Sequence, residues 1–317
     1  MTGERVVAVT GATGFLGVHV VAALARARFR VRILSRRDLR HELWDGLALE
    51  TVSGSLEDAQ ALKTLVTGAE TIVHAAGLIK ARDRAAFLRT NRDGARALAQ
   101  AARLYAPSSR LVAISSLAAR EPQLSDYAAS KRAGEDALRA AYADAPDQLV
   151  ILRPPAIYGP WDRETLGFFK AVSGRIAPVF GTGRKAIVHV ADAAAAIAQL
   201  AAGQGRDGTY ALSDPNPAGY TMTELMRAAA QALGSAPRFP HLPDGWLIAA
   251  GSASALWGRW RGQDPIFTAD KAREILHPDW SIAPGELLPA EVYASKIGIT
   301  EGFAETVAWY RAAKWLS

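Results

Sequence analysis

The eight residues 10–17, which read TGATGFLG, constrain the fold of this chain more than any other stretch. The apolar run at residues 6–9 before them has the composition of a buried strand, and residues 18–27 after them have that of a helix. The turn contains three regularly spaced glycines, which are Gly11, Gly14 and Gly17. This order of strand, glycine turn and helix predicts the opening unit of a parallel sheet that binds a phosphorylated ligand.

Each glycine meets a separate steric demand of such a turn. Gly11 permits the tight bend, Gly14 lets the backbone approach a pyrophosphate, and Gly17 lets the helix pack closely against the strand. The free N–H groups and the positive end of the helix dipole then attract the phosphates. We therefore expect a dinucleotide to be held by Gly11, Thr13, Gly14, Phe15, Leu16 and Gly17.

Short apolar strands alternate with alanine-rich helices through the first half of the chain, which is typical of crossover units around a parallel sheet. The further predicted strands are residues 31–34, 47–52, 71–74, 110–115 and 148–153. The further predicted helices are residues 59–66, 87–105 and 127–142. Right-handed crossovers make this order an α/β fold, a doubly wound parallel Rossmann sheet.

Beyond Pro154, glycine, proline and tryptophan become frequent and the elements become shorter. Residues 186–190 and 209–212 still read as strands, so we expect the chain to pass between two regions more than once. The predicted Rossmann domain is residues 1–157 plus about 185–215. The predicted smaller C-terminal substrate-binding region is about 158–184 and 216–317.

Composition limits the other classes of function. Of 317 residues, 50% are hydrophobic and 21% charged, as in a globular protein. The chain lacks cysteine and its six histidines are scattered, so we expect no metal site. The net charge of +6 comes from dispersed side chains, which favours a small anionic ligand over nucleic acid.

No apolar run approaches the roughly 18 residues of a spanning helix, and no leader pattern precedes the first strand, so we expect no integral membrane segment and a cytoplasmic location.

The end of the second predicted strand bears on the choice of cofactor. NAD enzymes usually place a carboxylate there for the ribose 2′-hydroxyl, whereas an arginine accommodates the 2′-phosphate of NADP. Arg36 and Arg37 occupy this position, and Asp38 follows them. The two guanidinium groups favour NADP(H), with NAD(H) as the alternative.

Tyr127 and Lys131 are four residues apart in a predicted helix and therefore share one face. A phenol with a pKa near 10 exchanges protons poorly at neutral pH, and a neighbouring ammonium group lowers the pKa of a phenol. The pair follows the fifth predicted strand, where the nicotinamide of a bound dinucleotide is expected. We interpret the two residues as a proton-transfer pair that also contacts the cofactor.

The glycine turn, the Tyr127–Lys131 pair and residues 152–160, which read LRPPAIYGP, together resemble the extended short-chain dehydrogenase/reductase family. That family includes nucleotide-sugar epimerases, 3β-hydroxysteroid dehydrogenases and dihydroflavonol reductases. The resemblance implies a substrate-orienting hydroxyl at Ser116, with Ser115 as the alternative, a supporting role for Asn91, and a homodimer. It also implies cofactor contacts at Ser55, Leu56, Ala75, Ala76, Gly77, Pro154 and Ile157.

Three features bring the resemblance closer to the reductases and hydroxysteroid dehydrogenases than to the sugar epimerases. Leu117 stands where many epimerases carry a further Ser or Thr. The interval between Ser116 and Tyr127 is short, and Pro155 stands where the epimerases often have asparagine.

These features favour an NADP(H)-dependent oxidoreductase that moves a hydride between nicotinamide and the carbonyl or hydroxyl group of a small molecule. The C-terminal tryptophans suggest an apolar or aromatic substrate, with residues 246–260 as a wall over it or as a membrane-surface helix. One alternative is a nucleotide-sugar epimerase or dehydratase that retains its NAD(P), with Arg175 and Arg184 on the diphosphate. The other is a non-catalytic NADP-binding sensor or assembly protein.

Overall fold

The computed structural model describes residues 5–37, 40–260 and 268–316, and Asp38 lies outside the described residues, as do the side chains of residues 255–260. The chain divides into two compact units. The first comprises Met1–Pro154, Ala193–Ala211 and Leu288–Ala294. The second comprises Pro155–Asp192, Leu212–Leu287 and Ser295–Ser317.

The first unit is built on a seven-stranded parallel sheet. Its strands are β1 (Val6–Thr10), β2 (Arg30–Ser35), β3 (Leu49–Ser53), β4 (Thr71–His74), β5 (Arg110–Ile114), β6 (Leu149–Arg153) and β10 (Gly208–Ala211). They lie in the order β3-β2-β1-β4-β5-β6-β10. Chain order therefore runs in opposite directions on the two sides of the β1–β4 pair, and ligands of open parallel sheets bind at the carboxyl ends of the strands at such a point.

Helices cover both faces of this sheet, because consecutive residues of a central strand such as Val7, Ala8 and Val9 have no exposed surface. These helices are α1 (Phe15–Arg26), α2 (Ala59–Val66), α3 (Arg84–Leu88), α4 (Ala95–Tyr105), α5 (Asp126–Ala141) and α7 (Val190–Ala201). The predicted fold class, a doubly wound parallel Rossmann sheet, is confirmed.

The single helix predicted over residues 87–105 is wrong in one respect. The chain forms α3, then a π-helical segment, Arg89–Gly94, and only then α4. We attribute the π-helical segment to Asn91, because its buried amide forms a pair of hydrogen bonds with the backbone of Leu78. Such π turns occur often at functional sites, since they reorient one side chain within a helix.

The described part of the second unit contains two small sheets and five helices. The first sheet pairs β7 (Ala156–Tyr158) with β9 (Ile187–His189), and the second has the order β11-β8-β12 with β8 (Arg184–Lys185), β11 (Tyr220–Thr221) and β12 (Asp279–Trp280). The helices are α6 (Leu166–Val172), α8 (Met222–Leu233), α9 (Asp244–Trp260), α10 (Ala269–Leu276) and α11 (Ile299–Ala312). The strand predicted at residues 186–190 is thus β9, and it pairs with β7 rather than with the Rossmann sheet.

The core of the second unit is aromatic. The ring centroid of Phe169 lies 5.1 Å from that of Phe303 and 5.6 Å from that of Tyr310.

Among the described residues, no helix combines the length and the apolar character that crossing a membrane would require.

Candidate active site

The turn between β1 and α1 has room only for glycine at two of its positions. Gly11 has a φ of +75°, and a Cβ on it would lie 2.4 Å from the backbone of Ala75 and Ala76. A Cβ on Gly17 would lie 2.0 Å from the carbonyl oxygen of Gly11. The turn is therefore packed against the residues that follow β4, and both glycines are required by backbone contacts rather than by flexibility.

The outer side of the same turn is open. Thr13 and Gly14 are exposed, while Phe15 and Leu16 are half-buried. Gly14 precedes α1, and no capping side chain accepts a hydrogen bond from the N–H groups at the start of this helix. A helix start with no capping side chain and no acidic side chain in its first turn is suited to bind an anion such as the pyrophosphate of a dinucleotide.

Arg36 and Arg37 follow β2 in an exposed turn. The turn is closed by Ser35, whose buried hydroxyl donates to the carbonyl oxygen of Arg37 at 2.6 Å. Within the described part of the chain, neither arginine has a carboxylate partner at ion-pair distance. The predicted contact of both arginines with a phosphate therefore meets no competing ion pair among the described residues.

Ser55 and Leu56 have local partners. The Ser55 hydroxyl accepts from the backbone N–H of Glu57 at 3.3 Å and so helps to form the turn before α2. Leu56 packs onto the π-helical segment, since a Cβ on Gly94 would lie 2.7 Å from its Cδ1. Leu56 thus helps to hold the segment that carries Asn91.

Residues 74–77 join the end of β4 to the rest of the site. His74 is buried, and its Nδ1 lies 2.7 Å from the Thr10 hydroxyl at the end of β1. Burial, with a smaller contribution from Lys131, lowers the pKa of His74 to about 3, so the imidazole is neutral. A Cβ on Gly77 would lie 3.2 Å from Asn91 Oδ1 and 3.5 Å from Lys131 Nζ, so Gly77, Asn91 and Lys131 converge.

Helix α5 carries Tyr127 and Lys131. It begins after Ser125, whose hydroxyl accepts from the N–H of Ala128 at 3.0 Å. Tyr127 is half-buried, with its ring 6.1 Å from that of Phe87. Lys131 donates from Nζ to the carbonyl oxygen of Ile114 at 2.8 Å, which brings the ammonium group to the end of β5. Burial lowers the pKa of Lys131 to about 8, although the carboxylate of Glu135 acts in the opposite direction.

The structure distinguishes Ser116 from Ser115. The Ser115 hydroxyl donates to Glu135 Oε1 at 2.6 Å, so its hydrogen is already used. The Ser116 hydroxyl accepts from the N–H of Ala118 at 3.2 Å, and no described residue accepts its hydrogen. Ser116 can therefore donate to a substrate oxygen, and Ser115 cannot without losing its bond to Glu135.

Asn91 connects the π-helical segment to α5. Its Nδ2 donates to the Ser130 hydroxyl at 2.8 Å, and that hydroxyl donates to the carbonyl oxygen of Tyr127 at 2.7 Å. Gly134 completes the contact, because a Cβ there would lie 2.3 Å from the carbonyl oxygen of Asn91. The resemblance implies a supporting role for Asn91, and in the structure its side-chain amide contacts the helix that carries Tyr127 through Ser130.

Sequence reasoning missed Glu135 and Arg153. Glu135 is buried on α5, and Arg153 ends β6 and donates to it from Nε at 2.7 Å and from Nη2 at 2.5 Å. The signal that could have found Glu135 is its position four residues after Lys131, on the same helix face. Nothing in the sequence says that this face is buried at Glu135.

The last two predicted cofactor contacts fall in different units. Pro154 closes the first unit, and its carbonyl oxygen accepts from the N–H of Leu117 at 2.9 Å. Ile157 is half-buried in β7 of the second unit. The remaining predicted site residues all lie in the first unit.

Comparison with known proteins gives a consistent result. The model of the NAD dependent epimerase/dehydratase family matches residues 7–211, which confirms the family that the glycine turn and the Tyr–Lys pair predict. The ceramide reductase of Caulobacter vibrioides (strain NA1000 / CB15N) is 50% identical over 313 residues, which cover 98% of this chain and 96% of that protein.

Two solved structures support the fold. The structure of gox2253 has a TM-score of 0.80 at 22% identity and covers 99% of this chain and 100% of its own. The UDP-glucose 4-epimerase of Thermus thermophilus, solved as a complex with NAD, has a TM-score of 0.71 at 22% identity, over 98% of this chain and 100% of its own.

Proposed function

This chain belongs to the NAD dependent epimerase/dehydratase family and is an oxidoreductase, and we propose that it reduces a ketone on a ceramide-type lipid with NADPH as the hydride source. The observation that carries the proposal is the 50% identity with the Caulobacter ceramide reductase. Because the match covers 98% of the chain, it includes the second unit, where we expect substrate contacts, as well as the Rossmann sheet.

The chemistry of the candidate site narrows the substrate. A ceramide is an N-acylated long-chain amino alcohol, and hydride transfer with proton donation by a tyrosine forms such an alcohol from a ketone. The amide carbonyl is a far weaker hydride acceptor and stays unchanged. The proposed substrate is therefore the N-acylated amino ketone, an apolar molecule in keeping with the tryptophan-rich sequence of the second unit.

Three side chains divide the work in the proposed reaction. A nicotinamide dinucleotide held at the glycine turn would supply the hydride to the carbonyl carbon. Ser116 donates a hydrogen bond to the ketone oxygen, and Tyr127 gives its proton to that oxygen as negative charge develops. Lys131 keeps a positive charge beside the phenol and stabilises the phenolate that remains.

The preference for NADPH is supported by Arg36 and Arg37, which are exposed and have no carboxylate partner among the described residues. A 2′-phosphate would form charge-assisted hydrogen bonds with them, whereas the 2′-hydroxyl of NADH would gain little. The epimerase alternative has less support, because the Arg184 guanidinium already donates to the carbonyl oxygens of Ala218 and Gly219.

The test is a substrate panel that follows nicotinamide absorbance. A short-chain N-acylated amino ketone in detergent micelles, offered with NADPH and then with NADH, should be reduced faster with NADPH. UDP-glucose and dTDP-glucose serve as matched negative substrates. Turnover of the sugar nucleotides without turnover of the ketone would overturn the proposed reaction, and equal kcat/KM with the two cofactors would overturn the arginine argument alone.

A further inference from the structure

The carboxylate of Glu135 is the most heavily bonded side chain near the candidate site. Its side chain is 1% exposed, and burying a charge is costly unless the charge is paired. It accepts from the Ser115 hydroxyl at 2.6 Å, twice from Arg153, and from Arg139 Nη2 at 3.0 Å. These donors come from the ends of β5 and β6 and from α5 itself, so Glu135 ties two neighbouring strand ends to the helix of Tyr127 and Lys131.

The effect of these bonds converges on Ser116. Of the neighbouring residues, Ile114 is held by Lys131 and Ser115 by Glu135, while the N–H of Leu117 donates to Pro154. The pairing with β6 continues one residue past β5, because the N–H of Ser115 donates to the carbonyl oxygen of Leu152 at 2.7 Å. Ser116 therefore has a fixed backbone and a hydroxyl hydrogen that no described residue accepts.

The charge of Glu135 also acts on Lys131. A cavity of about 20 Å³ is lined by Lys131 and Glu135 together with His74, Asn91 and Ser115, so these groups border one small space. Within it His74 is neutral, since its pKa is lowered to about 3, and Asn91 and Ser115 carry no charge. Tyr127 lies one turn before Lys131 on α5, and Arg153 on β6 is paired with Glu135. Glu135 is thus the group that raises the pKa of Lys131 against burial.

We propose that Glu135 is a positioning residue of the reaction, which holds Ser116 in place through Ser115 and provides a negative charge at the cavity that Lys131 also lines. It touches neither substrate nor cofactor in this role. The proposal rests on the reductase function above, in which Ser116 and Lys131 serve the ketone and the tyrosine.

The decisive variant is Glu135→Gln, which keeps the shape and removes the charge. The alkaline limb of the kcat–pH profile should move to lower pH, because the variant removes the negative charge that raises the pKa of Lys131. At neutral pH, kcat should fall about tenfold with KM changed less than about twofold, since the substrate contacts remain. Ser115→Ala should lower kcat several-fold without moving the limb, because every charge is kept.

Glu50→Gln is the matched control. It breaks another carboxylate–arginine pair, with Arg32 Nε at 2.8 Å, between β2 and β3 of the same sheet. It should leave the pH profile unchanged even if it lowers the melting temperature. A folded Glu135→Gln variant with the parent kcat and pH profile would show that Glu135 is a structural ion pair only and would overturn the proposal.

Two further measurements keep the test decisive. If Glu135→Gln does not fold, the double variant Glu135→Gln/Arg153→Gln removes both members of the buried ion pair, and it should also show a downward shift of the limb. NMR titration of lysine ¹³Cε in the cofactor-free protein, with Lys131 assigned by its loss in Lys131→Arg, should report a lower Lys131 pKa in the Gln variants. This readout needs no turnover, so an unchanged Lys131 pKa overturns the proposal even if no ketone is reduced, whereas a shifted pKa without turnover refutes only the reductase function.

Discussion

The strand ends of the first unit and helix α9 of the second unit differ in how firmly hydrogen bonds and burial hold their side chains in place. In the first unit, the Asn91 amide makes three hydrogen bonds and the Glu135 carboxylate four. In α9, Gly251 is the one buried residue among residues 244–254, and Trp246 is 66% exposed. Substitution in the first region should therefore cost catalysis and stability, whereas in the second it should cost neither unless a ligand is bound there.

This contrast suits the proposed reduction of a ketone on a lipid. The transfer of hydride and proton is the same whichever apolar chains the substrate carries. Hydride and proton transfer need atoms held within a fraction of an ångström, and bonded, buried side chains provide that. Exposed apolar side chains place weaker demands on a partner, since apolar contact is not directional. Four experiments test the contrast, beginning with the largest expected effect.

Tyr127→Phe should abolish most of the activity. The variant removes one hydroxyl from a half-buried ring that packs on Phe87, so the fold should be kept. Loss of a general acid lowers kcat by about 100- to 10,000-fold. Single-turnover reduction of the ketone measures the effect, and NADPH binding by fluorescence should change little. A variant with more than about half of the parent kcat would remove Tyr127 from the reaction.

Gly17→Ala should destabilise the first unit, whereas the matched Gly245→Ala in α9 should not. A Cβ on Gly17 would lie 2.0 Å from a backbone oxygen of Gly11, and backbone atoms of a packed turn cannot yield, so a loss of about 3 kcal/mol or more is expected. A Cβ on Gly245 meets nothing within 4 Å, and alanine is the better helix former by about 1 kcal/mol. Urea denaturation of both variants compares them, and equal losses would contradict the contrast.

The part of the site that the sequence could predict is the part with backbone demands of this kind. The positions of Gly11 and Gly17 follow from the steric needs of the turn, and the predicted bounds of α2 and β4 agree with the structure because both are short, strongly patterned elements. Each of these features depends on residues close together in the chain, where periodicity and spacing carry the information.

What the sequence could not predict depends on partners far along the chain. The π-helical segment exists because the Asn91 amide finds Leu78 and Ser130, which lie 13 and 39 residues away. Glu135 is buried because Arg153 and Ser115 converge on it from two strands. Helical periodicity predicts one continuous helix over residues 87–105 and carries no signal that Glu135 is buried, so tertiary contacts decide both features.

The buried histidines of the two units should differ in how much they lower the free energy of unfolding at acid pH. His74 has its pKa lowered to about 3 by burial and by Lys131, so between pH 6.5 and about 3 the unfolded chain binds a proton that the folded chain does not. Stability then falls with decreasing pH by up to about 1.4 kcal/mol per pH unit, and the loss is complete near the folded pKa. His74→Asn should flatten this slope in melting experiments between pH 6.5 and 4.

His189 of the second unit is the matched comparison. It is buried as well, and burial lowers its pKa, but the carboxylates of Glu305, Asp192 and Glu301 act in the opposite direction. His189→Asn should therefore flatten the acid slope less than His74→Asn. The reverse order of the two variants would show that burial outweighs the neighbouring carboxylates in setting the pKa of His189.

The smallest effect on stability is expected at α9. Trp246→Ala should change the free energy of unfolding by less than about 0.5 kcal/mol, because the side chain is 66% exposed and alanine suits a helix. Trp280→Ala in the same unit is the control, and it should lose about 3 kcal/mol or more, since that indole is buried and donates from Nε1 to the carbonyl oxygen of Glu274 at 2.7 Å.

If α9 contacts the apolar chains of the proposed substrate, Trp246→Ala should raise KM several-fold for a long-chain ketone and much less for a short-chain one. Equal KM ratios for the two ketones would leave α9 without a part in binding, and the contrast between the units would then concern stability alone.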